Sequence, residues 1–297
     1  GNRGMIKLIA NPIAGRGRGR EALPAAEEAL RRQGLQFSTE VTSRPLEAME
    51  IARRAAEEGC ELVVALGGDG TSHEVANGLL SSGNSEVALG MIPIGNGNDF
   101  VESLDLPVTD LAAAVHRLRQ GKVRVIDVGR VNDRYFINNA GTGFDARVAI
   151  EALKIPFFRG FLLYFLAIFR TLPSYEIPTI TANLDDQVVS MPMTLIVATN
   201  GRQYGGGFLI TPDAKMDDGL LDICYARGLG RLGILRLLPE VMRGTHVDKE
   251  PVTMAKAKRV ILDSPDPLPV HADGEIIYTD AHHLEIEIIP RRLRVIT

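Results

Sequence analysis

The chain has 297 residues, a formal net charge of −4 and two cysteines, Cys60 and Cys224. That length supports more than one hydrophobic core, the slightly acidic charge balance argues against a nucleic-acid partner, and two distant thiols without a CxxC or HExxH pattern exclude a disulfide framework and a zinc site. The first residues lack the regions of a signal peptide, and the one membrane-like stretch, Ile155 to Leu172, has a short apolar core and is interrupted by Arg159 and Arg170, so a cytoplasmic protein is expected.

In chain order, Met5 to Asn11 reads as a strand and Glu21 to Gln33 as a helix. Gln36 to Thr42 alternates like a second strand, and Leu46 to Glu58 is an alanine-rich helix. Glu61 to Leu66 is an apolar run typical of a strand buried on both faces, and Ser72 to Leu80 has helical spacing. Val87 to Pro93 is a further strand and Leu111 to Arg119 a helix. This alternation predicts a parallel sheet with helices on its faces. After about Lys122 the rhythm changes. VRVIDVGRV, RYFINNAG, TITANLD, VSMPMTLIVATN, GLLDICYAR, RVILDS and HLEIEII read as strands, interrupted only by helical stretches at Ala146 to Leu172 and Arg231 to Met242. A mostly antiparallel β domain is expected there.

The sequence ELVVALGGDGTSHEV (Glu61 to Val75) places Gly67, Gly68 and Gly70 around Asp69 between the buried strand and a helix. Glycines let backbone approach another group without a Cβ, and a helix start offers unpaired N–H groups and partial positive charge. Together they suit a phosphate at the carboxyl end of a parallel strand. Asp69 beside phosphate requires an intervening cation or water. A plain turn with a Thr71–Glu74 capping box accounts for those two residues and leaves the glycines and Asp69 unexplained. NPIAG (Asn11 to Gly15) and PIGNGNDF (Pro93 to Phe100) are two more polar, glycine-containing turns after apolar runs. Neither a GxxxxGK[ST] loop nor GxGxxG spacing is present, which excludes a P-loop and weakens a Rossmann dinucleotide site. The basic GRGRGR and PRRLR runs read as surface, with Arg16 and Arg20 as candidate phosphate partners.

GGDGT, the Asn-Pro-x-x-Gly turn and the P-x-G-x-x-N-D segment, in this order, resemble the catalytic domain of the diacylglycerol kinase and sphingosine kinase family of lipid kinases, above all its soluble bacterial members. NAD kinases and phosphofructokinases carry similar GGDGT loops. The resemblance implies a Rossmann-like three-layer α/β domain over residues 1–126 and a β-sandwich substrate and metal domain over 127–288, with 289–297 returning to the first domain. It implies that ATP contacts Asn11, Thr42, Gly67, Gly68, Asp69, Gly70, Thr71, Ser72, His73, Asn96, Asn98 and Asp99. Two positions depart from the family pattern, which has threonine where Asn96 stands and asparagine where His73 stands. Asn96 keeps a donor and an acceptor, so nucleotide binding is expected to persist; His73 is given no catalytic role.

PDAKMDDGLLDI (Pro212 to Ile223) by itself is an acidic turn before a strand. It also resembles the family's magnesium loop, with Asp218 supplying a carboxylate and Lys215 and Leu220 backbone carbonyls, all oxygen ligands that suit Mg2+. HADGEII (His271 to Ile277) reads as a hairpin turn; the resemblance places the general base at Glu275, with Asp69 as its catalytic companion. ATP in a cleft between the domains, with Glu275 opposite its γ-phosphate, is the expected arrangement. The aromatic FFRGFLLYFLAIF (Phe157 to Phe169) is a buried amphipathic helix, an entry for acyl chains, or a surface for the bilayer interface. The expected activity is ATP- and Mg2+-dependent phosphorylation of a lipid hydroxyl at the membrane surface. Diacylglycerol, phosphatidylglycerol, a sphingoid base or an undecaprenol-like alcohol all offer such a group. An NAD kinase and a catalytically silent nucleotide- or lipid-binding protein are the alternatives, and apolar edge strands leave a homodimer open.

Overall fold

The structure is a computed structural model that describes residues 5–95, 97–108, 110–156, 158 and 160–297; Asn96 lies outside the described residues. Two compact units form, Gly1–Ile126 with Arg291–Thr297, and Asp127–Pro290.

The first unit contains β1 (Ile6–Ala10), α1 (Arg18–Arg32), β2 (Phe37–Val41), α2 (Glu47–Glu57), β3 (Leu62–Gly67), α3 (Asp69–Ser81), β4 (Ala88–Pro93), α4 (Asp99–Ser103) and α5 (Leu111–Gln120). The strands lie parallel in the order β2-β1-β3-β4, and Arg294 and Val295 add a further parallel strand opposite Ala88 and Leu89. Every residue of β3 is buried, which is why its sequence is an unbroken apolar run. Leu8, Val64, Leu66 and Ile92 pack with Leu30 and Leu118 from the helices. Gly78 lets α2 and α3 close together, since a Cβ there would stand 2.3 Å from the Met49 carbonyl oxygen.

The third helix starts at Asp69, three residues earlier than its spacing suggests, with Gly68 as N-cap and no side-chain cap. The Thr71–Glu74 capping box therefore does not form. Glu74 instead accepts the N–H groups of Leu46 and Ala48, at 3.0 and 3.2 Å, and so caps α2.

The second unit runs β5 (Val123–Val131), β6 (Arg134–Phe136), β7 (Asn139–Gly143), α6 (Phe144–Leu153), α7 (Gly160–Thr171), β8 (Thr179–Leu184), β9 (Gln187–Thr199), β10 (Leu221–Arg227), α8 (Arg231–Arg243), β11 (Val252–Ala257), β12 (Arg259–Ala272) and β13 (Glu275–Ile296), the unit boundaries falling inside β5 and β13. Pairing is antiparallel. The first half of β9 pairs β8 and its second half pairs β7 and β10. Likewise β12 pairs β8 through Val260–Asp263 and β7 through Val270–Ala272. The two long strands thus wrap one core that includes Phe136, Ile180, Met193, Leu262 and Leu284.

The helical stretch expected over Ala146 to Leu172 is two helices. Pro156 has no N–H to continue a helix and disfavours helical backbone at Ile155, and Gly160 enters α7 at φ 54°. RYFINNAG likewise divides into β6 and β7, because the N–H groups of Ile137, Asn138 and Asn139 point to a carboxylate rather than to a strand.

Candidate active site

In a parallel sheet all strands end on one edge, and here β1, β3 and β4 each end in a polar turn there. Asn11 donates its side-chain amide to Thr71 Oγ1 at 3.2 Å and its backbone N–H to Leu66. Ile94 donates to the Gly67 carbonyl at 2.9 Å. Arg18 reaches across from α1, donating to the carbonyls of Gly15 and Gly95 at 3.3 and 2.9 Å. Thr42, at the end of β2, is buried and donates to the Ala10 carbonyl. The sequence-predicted nucleotide residues of this unit that are described are therefore brought to one edge.

Two glycines are needed for this convergence. A Cβ on Gly67 would lie 2.2 Å from Thr71 Oγ1, and one on Gly95 would lie 2.4 Å from the Gly68 Cα. Ser72 N–H is already bonded to the Gly68 carbonyl, so the outward amides of this helix start come from the residues before it. Asp69 also organises the neighbouring turn, its Oδ2 accepting the Asp99 N–H and its Oδ1 the Phe100 N–H, both at 3.1 Å. It thereby fixes the backbone at Asn98, which takes a left-handed φ of 57°. His73 is 1% exposed, with its ring 3.5 Å from the Asn77 side-chain amide, and it presents no surface to a ligand.

In the second unit, Ala272 to Glu275 close the β12–β13 hairpin, Asp273 and Gly274 having φ of 51° and 84°. Glu275 is exposed at the first position of β13. The Asp273 carboxylate holds backbone amides of another segment. Its Oδ1 accepts the N–H groups of Asn138 and Asn139, at 2.8 and 3.1 Å, and its Oδ2 that of Ile137 at 3.0 Å. The hairpin tip is thus bolted to the β6–β7 connection.

The acidic loop before β10 is held by Asp127, a fully buried acid that no motif in the sequence singles out. Its N–H donates to the Met216 carbonyl and its Oδ2 accepts the Gly219 N–H, both at 2.7 Å. Asp218 Oδ1 accepts the Leu220 N–H at 3.1 Å, and Asp218 Oδ2 is 3.0 Å from Lys256 Nζ. Among the described residues no three His, Cys, Asp or Glu side chains converge on a metal-sized gap. The carboxylates and backbone carbonyls of the loop are all oxygen donors, and their chemistry fits a hard cation such as magnesium.

Sequence reasoning also misses a buried acid–imidazole pair. Asp145 Oδ2 and His271 Nε2 are 2.7 Å apart at 3% and 2% side-chain exposure, over Gly141, whose Cβ would clash with Asp145 at 2.5 Å. Tyr204 stacks on His271 with centroids 5.9 Å apart. Burial raises the pKa of the nearby Tyr175 hydroxyl, and the Asp145 charge adds to it. His271 stands four residues before Glu275, but its spacing to Asp145, 126 residues away, leaves no local signal.

A parallel α/β unit gathering glycine-rich turns at its strand ends, joined in one chain to an antiparallel sandwich with an acidic loop, defines a two-domain α/β-plus-sandwich class with a ligand edge on its first unit. The diacylglycerol kinase catalytic domain model matches residues 5–131, and the YegS C-terminal NAD kinase beta sandwich-like domain model matches residues 138–297. A diacylglycerol kinase of Mycobacterium tuberculosis strain H37Rv is 32% identical over 300 residues, covering 99% of this chain and 95% of that protein. One from Bacillus subtilis strain 168 is 30% identical over 270 residues, covering 91% and 89%. A solved structure of a Bacillus anthracis strain Sterne protein, assigned as a diacylglycerol kinase, matches with a TM-score of 0.83 at 25% identity, covering 99% of this chain and 95% of that one. The chain belongs to the diacylglycerol kinase family of lipid kinases, for which ATP is the implied phosphate donor.

Proposed function

We propose that the protein transfers the γ-phosphate of ATP, with magnesium, to the hydroxyl of diacylglycerol or a closely related lipid. The observation that carries this reading is the convergence of Asn11, Gly67–Thr71, Gly95 and Asn98–Asp99 at one sheet edge. Amides of the Gly67–Thr71 segment cradle the phosphates, and Asn11, Thr42, Asn96, Asn98 and Asp99 complete the nucleotide site. Asp69 acts as catalytic companion by holding the Asn98–Asp99 turn in place and by facing the cation that accompanies the phosphates.

An alcohol is a weak nucleophile at neutral pH. Glu275, exposed at the start of β13, would take the hydroxyl proton as the oxygen attacks the γ-phosphorus, with ADP leaving. The rest of the rate comes from orientation and charge neutralisation. The Asp218 carboxylate with the Lys215 and Leu220 carbonyls would hold magnesium in the acidic loop. Bound magnesium offsets negative charge on the groups around it.

The acceptor's acyl chains need an apolar surface. Leu162 and Phe169, seven residues apart on one face of α7, are 48% and 45% exposed, and Leu153 on α6 and Leu232 on α8 are 78% and 69% exposed. With Arg170 and Arg231 on the same helices, they support transient contact with an anionic bilayer. Among the described residues no helix is long and apolar enough to cross a membrane. The test is transfer of label from γ-labelled ATP to diacylglycerol in mixed micelles, with NAD as the control acceptor. Label in a lipid phosphate is expected; label only in NADP would replace this reading with an NAD kinase, and ATP binding without transfer to either would replace it with a silent binding protein.

A further inference from the structure

The acidic loop carries its own cation. Asp213, Asp217, Asp218 and Asp222 crowd ten residues, and Lys256 stands directly opposite Asp222 in the β10–β11 ladder. Its Nζ is 3.0 Å from Asp218 Oδ2 and 3.3 Å from the Asp222 carboxylate. The Asp222 side chain is 9% exposed and Lys256 43%, so the ammonium closes the open side of a mostly buried acid. Cross-strand register, rather than a flexible loop, delivers this charge.

An ammonium and a divalent ion make rival claims on Asp218. Lysine is a compact point charge with three donors. Magnesium demands short, near-octahedral oxygen contacts and loses water reluctantly. Asp218 Oδ1 accepts the Leu220 N–H and Oδ2 faces Lys256, so a metal on this carboxylate has the ammonium as a like-charged neighbour or displaces it. We infer that Lys256 is a resident counter-ion of the Asp218–Asp222 loop: it keeps the loop folded without metal and competes with divalent metal for Asp218. This rests on the reading of Asp218 as a metal carboxylate.

The test uses the full chain without nucleotide and Mn2+ as a spectroscopic probe of the site. Lys256→Met is expected to bind Mn2+ at least about 10-fold more tightly than wild type, the size of change that loss of one competing charge contact of about 1.4 kcal/mol gives. Its melting temperature should fall below that of wild type in EDTA and rise with Mn2+ by more than wild type's does, since the tighter complex is stabilised further. Equal Mn2+ affinity in the two proteins overturns the competition while leaving the metal loop standing. No binding by either, or binding that survives in Asp218→Asn, overturns the metal loop itself and the competition with it. Should Lys256→Met fail to fold, Asp218→Asn decides. A resident lysine predicts a loss of melting temperature relative to wild type that is already present in EDTA; a loss confined to Mn2+ contradicts it.

Discussion

Asp69 and Asp273 occupy similar sequence settings, each beside glycine in a turn at a strand end, and the structure uses both to hold backbone amides of another segment. The difference lies in number and burial. Asp69 is half-buried and takes two N–H groups, from Asp99 and Phe100. Asp273 is 8% exposed and takes three, from Ile137, Asn138 and Asn139. Asp69 is the more exposed of the two and is accessible to a ligand. Asp273 is committed to architecture, and in the proposed reaction the chemistry at its hairpin would fall to Glu275. An acid beside glycine is therefore a catalytic candidate only after its amide partners have been counted.

Three substitutions sharpen this contrast. Asp273→Asn suits the left-handed backbone but turns an NH2 toward one of the three donors. It should cost about 2–4 kcal/mol through an unsatisfied buried group, read as the largest fall in melting temperature of the series. Asp69→Asn removes one of two acceptors at a more accessible site, so a smaller stability loss of about 1–2 kcal/mol is expected. Its effect should appear mainly as a rise in KM for ATP, because the Asn98–Asp99 turn loosens; a KM unchanged from wild type would show that the turn does not serve the nucleotide. Gly67→Ala places a methyl against Thr71 and should cost about 1–3 kcal/mol by overpacking, with ATP affinity lowered through displacement of Thr71 from Asn11.

The smallest effect concerns the thiols. Burial, helped by the Asp145 charge, pushes Cys224 up to about 12, and burial also raises Cys60. Native protein at pH 8 should leave both unmodified by a thiol reagent until denaturant is added. Because the folded thiol of Cys224 holds its proton more tightly than the unfolded one at 9.0, its contribution is constant below pH 9 and stability falls as pH rises from there toward 12. Rapid labelling of Cys224 in native protein would contradict its burial.

The fold class was legible because periodicity carries it. Buried parallel strands such as β3 read as apolar runs, and the strands after Lys122 as short apolar or alternating segments between turns. The glycine turns of the first unit were legible for the same reason that they work, since only glycine permits the approach of Gly68 to Gly95. What the sequence hid is long-range. Glu74 looks like a local cap and serves another helix. Asp127 reaches Gly219 across 92 residues, and Asp145 meets His271 across 126. Lys256 is an ordinary lysine until strand register sets it against Asp222. No local pattern encodes such pairings, because each depends on which strands become neighbours.

The most direct test of the account is the rate of phosphate transfer from labelled ATP to diacylglycerol by Glu275→Gln, with ATP saturating and the melting curve recorded alongside. Loss of a general base predicts a fall in kcat of about 100-fold or more with wild-type melting and little change in KM for ATP. A variant that melts like wild type and transfers phosphate at an undiminished rate would contradict the assignment of Glu275.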